Sequence, residues 1–151
     1  MITLEKLEEK QTELGALIEK FKEQEAAKPT YPITLDHQKL ADGEKFVGFI
    51  LSADGAKKHA IILLPGEKQD VSWQQAKDWA KSIGGDLPDR VESALLFNTL
   101  KSEFSENCYW TNEAYGSSGA WVQYFSDGDV NCSYVYGYGF RARAVRRLAI
   151  F

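Results

Sequence analysis

Asn112, Tyr115, Ser117, Ser118, Asn131, Ser133, Tyr136 and Tyr138 crowd into one stretch of the chain, and their chemistry is that of holding a ligand. Tyrosine offers a rigid aromatic surface with a polar tip, while serine, asparagine and glycine supply adaptable hydrogen bonds. Every tyrosine except Tyr31 lies beyond Phe104, so this composition is a local feature. Stacking against a sugar ring or an apolar receptor surface, fixed by hydrogen bonds, is the chemistry expected. Residues 112–119 read as an exposed loop, with Asn131, Ser133 and Tyr136 extending the surface across a neighbouring strand. Trp110, Trp121, Phe125 and Tyr134 read as core.

A second cluster is cationic. Arg141, Arg143, Arg146 and Arg147 follow one another without an acid, and guanidinium forks suit carboxylate, sulfate or phosphate. On one continuous strand over 140–148, alternation places Arg141, Arg143 and Arg147 on one face and Arg146 with Phe140, Ala142 and Ala144 on the other. At least one arginine is then buried and paired. Structural ion pairing is the favoured role and acidic-polysaccharide binding the alternative.

Catalysis has less to stand on, because a nucleophile needs a base within reach. Cys108 and Cys132 form no CxxC pair, and His37 and His59 fall in a linker and in the first hairpin, away from both cysteines in sequence. An enzyme here would have to combine Cys108 or Cys132 with His59. The carboxylates Glu106, Glu113, Asp127 and Asp129 flank the aromatic strands and are of a type that does acid/base work, yet Asp127 and Asp129 read as turn residues and Glu106 as a surface charge. Neither a zinc spacing nor a cofactor motif is present, so no metal, no cofactor and no enzymatic activity are expected. A net charge of -4 argues against nucleic acid as a partner. The longest apolar run, 60–64, falls far short of the ~20 residues that cross a bilayer, so membrane insertion is not expected. The charged residues 1–6 predict no signal peptide, hence synthesis in the cytoplasm with free thiols.

Several elements must position these groups. Leu4, Leu7, Gln11, Leu14, Ile18 and Phe21 recur at a/d heptad spacing, which predicts a coiled-coil helix over 1–27. Two to three heptads are marginal alone, so the helix implies self-association, docking on a partner, or packing on its own domain. Pro29 and Pro32 mark a linker over 28–44. A domain over 45–151 follows. It opens on two apolar runs, 46–51 and 60–64, around Asp54-Gly55, a hairpin signal. Ser72 with Gln75 and Asp89 with Glu92 have capping-box spacing before two amphipathic helices. Short strands then read as 109–111, 121–125, 130–136 and 140–148, with Asp127-Gly128 closing a hairpin. The order hairpin, helix, helix, meander implies an α+β fold with a mostly antiparallel sheet and two helices.

From Val71 onward the texture is that of a known family. Asp86-Leu87-Pro88-Asp89 opens the second helix, Tyr109-Trp110-Thr111-Asn112-Glu113 follows, then Phe125-Ser126-Asp127-Gly128 and a closing Arg143-Ala144-Val145-Arg146. This resembles the bacterial and phage domain family typified by the C-terminal domain of the collagen-like adhesin Lcl. The resemblance implies a C-type-lectin-like fold, often trimeric and often found on adhesins and phage tail fibres. The calcium-binding Glu-Pro-Asn and Trp-Asn-Asp motifs of true C-type lectins are absent. So is the catalytic cysteine pattern of the related formylglycine-generating enzymes.

The expectation is therefore a non-enzymatic recognition module: a homo-oligomer, trimer favoured over dimer, that binds a glycan or cell-surface receptor without calcium. A phage particle released by lysis would bring such a protein to its receptor. The alternative is a small intracellular phage-encoded protein that binds and modulates a host protein.

Overall fold

The computed structural model describes residues 3–26, 40–56, 58–134 and 138–150, and the chain divides into two units, Met1–Leu35 and Asp36–Phe151. In the first, the heptad residues lie on one unbroken helix, α1 (Leu4–Ala26). Leu4, Leu7, Leu14, Ile18 and Phe21 are all exposed, as are Gln11 and Leu17, which widens the apolar stripe. Surface pairs Lys10–Glu13 (3.0 Å) and Lys22–Glu19 (2.9 Å) brace the opposite faces but add only tenths of a kcal/mol. An apolar stripe of this kind gains its stability from burial that the helix alone does not supply.

In the second unit the two apolar runs form an antiparallel hairpin, β1 (Lys45–Leu51) and β2 (Lys58–Leu63), with Gly55 at φ 71 in the turn. Both capping boxes form. Ser72 starts α2 (Trp73–Ser82) and Asp89 starts α3 (Arg90–Leu100), each side chain accepting from the N3 backbone while Gln75 or Glu92 answers from the side chain. Gly84, at φ 81, ends the first of these helices.

Between the two helices and the hairpin sit strands from distant parts of the chain. β3 (Lys68–Val71), β4 (Cys108–Tyr115), β5 (Gly119–Tyr124), β6 (Val130–Tyr134), β7 (Phe140–Ala142) and β8 (Val145–Ala149) complete two sheets, ordered β1-β2-β8 and β3-β7-β4-β5-β6. All pairings are antiparallel except β4 with β7. The fold is α+β. The α2 helix packs on the five-stranded sheet over a core of Leu64, Ala76, Ala80, Leu87, Trp110 and Val122. The α3 helix reaches both sheets over Val47, Ile61, Leu63, Leu96, Tyr109 and Phe125. Trp110 is fully buried at no polar cost, because its indole N–H donates to the Val71 carbonyl at 2.8 Å. Phe125 stacks on Phe104 with centroids 3.9 Å apart, and burial of such a ring contributes roughly 3 kcal/mol.

Four expectations are corrected. Residues 140–148 are not one strand: Arg143 and Ala144 interrupt it, so β7 joins the larger sheet and β8 the smaller. The bend is fixed where Leu64 N donates to the Ala144 carbonyl and Asp86 pairs with Val145. The strand 109–111 runs on to Tyr115, which puts Asn112 and Tyr115 on a strand rather than in a loop. Strand β3 was not expected at all. The linker is shorter than 28–44, since Glu44 is nearly buried against Arg146 in the second unit; residues 28–39 lie outside the described residues.

Candidate functional site

The β4–β5 hairpin carries the site. Its strands pair Tyr115 with Gly119 and Trp110 with Val122, but the register shifts between them. The extra residues form a bulge, in which Thr111 Oγ1 donates to the Trp121 carbonyl at 2.9 Å and accepts from Glu113 N at 3.2 Å. The bulge delivers Asn112 and Glu113 to the segment that opens α3. Asn112 N donates to the Pro88 carbonyl at 2.9 Å, and Asn112 Nδ2 donates to Asp86 Oδ2 at 3.2 Å. Glu113 accepts from Arg90 through both the backbone N (3.2 Å) and Nε (2.5 Å).

Held in this way, the Arg90 guanidinium lies over the Trp121 ring, 4.4 Å from its centroid. Tyr115 meets the same ring edge to face, at 5.1 Å and 82°. Tyr115 is 51% exposed. Trp121 is half-exposed rather than core, and it lies on the opposite face of β5 from the buried Ala120 and Val122. Trp110 and Phe125 are core as expected; the Tyr134 side chain is outside the described residues. The result is a ladder of Tyr115, Trp121, Arg90 and Glu113 along one edge of the hairpin.

The remaining expected residues separate. Ser117 is exposed and Ser118 half-exposed in the turn beside Tyr115, where Gly116 adopts φ 60. In β6 the backbone of Ser133 lies opposite Ala120, near the Tyr115 end of the sheet, and exposed Asn131 lies opposite Val122. Tyr136 falls outside the described residues. Tyr138 does not belong to this group. It stacks on Phe140, centroids 6.0 Å apart, beside Trp110. Because β7 runs parallel to β4 with Arg141 beside Tyr109, Tyr138 lies toward the end of β4 remote from Tyr115.

Each arginine of the closing segment is engaged. Arg141 meets Glu67 at 2.5 Å, and Glu67 also accepts from the Tyr109 hydroxyl at 2.7 Å. Arg143 donates to the Glu103 and Leu64 carbonyls and covers the Phe104 ring. Arg146 grips Glu44 through Nε and Nη2. Arg147 meets the buried Glu92 and also Asp86. Burial acts to raise the Glu92 carboxyl, but Arg147, the Asp89 amide and His59 outweigh it and hold Glu92 below the usual carboxylate range. The Arg147 guanidinium is raised, with Glu92 the main cause.

His59 and Cys108 belong to different networks. His59 Nε2 lies 3.0 Å from Glu92 Oε1, while Cys108 is a free, buried thiol. Burial pushes that thiol up against the lowering effect of its hydrogen bond with Tyr124, the opposite of an activated nucleophile. Among the described residues, no group of three or more His, Cys, Asp or Glu side chains is placed to hold a metal ion, and no helix is long and apolar enough to cross a membrane.

Sequence reasoning took Trp121 as core and Glu113 only as an acid/base candidate flanking the aromatic strands, and it did not single out Arg90 and Asp86 beside the candidate residues. Trp121 was legible in principle, since it falls out of phase with its apolar neighbours on β5. The chain matches no family model, and no curated protein matches it in sequence.

Proposed function

We propose that the chain is a non-enzymatic recognition module: a C-type-lectin-like domain, displayed as an oligomer by α1, that binds a glycan or cell-surface receptor at the Tyr115–Trp121 end of the hairpin. The observation that carries this reading is a half-exposed tyrosine held edge-on to a tryptophan whose ring is covered by a clamped arginine. Exposed aromatic area costs solvation, and fixing it beforehand lowers the entropy lost on binding. The C-type-lectin-like assignment is supported by the order of hairpin, two capped helices and meander, and by a final strand that returns to pair with the opening hairpin. A trimer is the favoured assembly, and weak single sites on it would gain avidity on a multivalent surface. A phage particle is the setting proposed for it.

The test is a glycan array and binding to whole cells with the full chain. Wild-type binding that is lost in Tyr115→Ala and Trp121→Ala, with thermal unfolding unchanged, is the expected result. Equal binding by the variants would refute the site.

The exposed stripe on α1 also favours a second reading, in which an intracellular phage-encoded protein binds and modulates a host protein through that helix. The two readings part on whether α1 is paired with copies of itself.

A further inference from the structure

The charge layout around the Tyr115–Trp121 ladder restricts which ligand it accepts. Both arginines nearest the ladder are already engaged, Arg90 by Glu113 and Arg147 by Glu92 and Asp86. The carboxylates keep spare capacity. Glu113 is 32% exposed and Asp86 38% exposed, and a carboxylate accepts about four hydrogen bonds, of which Arg90 fills two on Glu113. Asn112 adds to this. Its amide must point nitrogen toward Asp86, since two oxygens would repel, so its oxygen is left without a protein donor among the described residues. Among the described residues the Tyr115 hydroxyl and Trp121 indole N–H likewise make no protein hydrogen bond, and Tyr115 is exposed.

The uncommitted groups on the ladder and on Asn112 and Asp86 are thus acceptors, neutral donors and aromatic surface, and neither arginine beside them is free. A sulfate or carboxylate brought here would face Glu113 and Asp86 and find its natural partners taken. A sugar hydroxyl finds an acceptor at Glu113 or Asn112, and a sugar ring finds an apolar face on Tyr115. We infer that the ladder takes an uncharged glycan and rejects sulfated or uronic-acid polymers, a specificity set by Glu113, Asn112 and Asp86. This rests on the recognition reading above.

The experiment uses the full chain against three panels, neutral oligosaccharides, acidic oligosaccharides and free amino sugars, each at low and high salt. Binding confined to neutral sugars and insensitive to salt is expected, since no charge pairing is screened. Glu113→Gln then weakens binding about tenfold, the loss of one charge-assisted hydrogen bond, and Asn112→Ala also weakens it. An anionic ligand gives the opposite sign, because Glu113→Gln removes a repulsive charge and tightens it. Binding only to acidic or amino sugars, or tighter binding by Glu113→Gln, overturns this inference while leaving recognition intact. No binding to any panel, on the array or on cells, overturns the recognition reading and this inference with it.

Discussion

Arg147 and Glu92 meet at two points, Nε to Oε1 and Nη2 to Oε2, both at 2.7 Å, with the carboxylate fully buried. The pair ties the final strand to the start of α3. It also stands behind the candidate site, since Arg147 holds Asp86 at 3.1 Å and Asp86 holds Asn112. Removing one partner strands a buried charge. Arg147→Met is expected to cost about 3 to 5 kcal/mol, with much of that regained in Glu92→Met/Arg147→Met. Urea unfolding of the three variants decides it, and a single variant within 1 kcal/mol of wild type would show the pair to be dispensable.

Acid should unfold the protein through its lowered carboxyls. Glu92, despite burial, and Glu44, chiefly through its hydrogen bond with Arg146, are both held below the usual range. A lowered folded pKa gives stabilisation that is complete above the unfolded-state value, about 4.3, and lost as pH falls through the folded value. Stability with respect to these two groups should be flat from pH 7 to about 5 and fall below about 4. The Glu44→Gln variant should show a shallower fall in urea titrations at stepped pH. Parallel curves for variant and wild type would remove Glu44 from the account.

Two glycines give opposite expectations for the same substitution. A Cβ on Gly85 would come 2.5 Å from Leu64 Cδ1 and 2.8 Å from the Val145 carbonyl, and backbone there is pinned by the Asp86–Val145 bridge. Gly85→Ala should cost about 1 to 3 kcal/mol. A Cβ on Gly15 meets nothing within 4 Å, so Gly15→Ala should raise the helicity of α1, by up to about 1 kcal/mol of propensity. Thermal unfolding and far-ultraviolet dichroism report both, and a neutral Gly85→Ala would mean the bend at residues 143–144 can relax.

What the sequence revealed follows how local each interaction is. The Ser72–Gln75 and Asp89–Glu92 boxes and the Asp54-Gly55 and Asp127-Gly128 turns involve residues a few positions apart, and each element starts or reverses where they predict. Strand β3 was hidden because Lys68, Gln69 and Asp70 are exposed and polar, and only β7, far along the chain, makes them a strand. The break after Ala142 left only one trace, the slip in alternation at Ala144-Val145 and Arg146-Arg147, with no glycine or proline to mark it; the bend depends on Leu64 and Asp86. Partners of the arginines lie 74, 102 and 55 residues away for Arg141, Arg146 and Arg147, which composition does not reveal. The tyrosine-rich stretch pointed to Tyr115, but Arg90 and Glu113 join it only through the bulge in β4.

The assembly expectation rests on α1. Leu4, Leu7, Gln11, Leu14, Ile18 and Phe21 are all exposed, with Leu4 at 72% and Phe21 at 62%, and a helix with such a stripe draws most of its stability from packing it. Self-pairing buries it, with Gln11 at an a position selecting register at some cost in stability. Light scattering of the full chain should then give a trimer, and Leu14→Glu/Ile18→Glu should give monomers with reduced helicity. Glu9→Gln, on the outer face, should leave the mass unchanged. Helicity that rises with protein concentration in wild type alone would support the same conclusion. A monomeric wild type removes the avidity mechanism. The stripe would then need another partner, and a protein captured by wild type but not by Leu14→Glu/Ile18→Glu would place the chain in the host-protein reading.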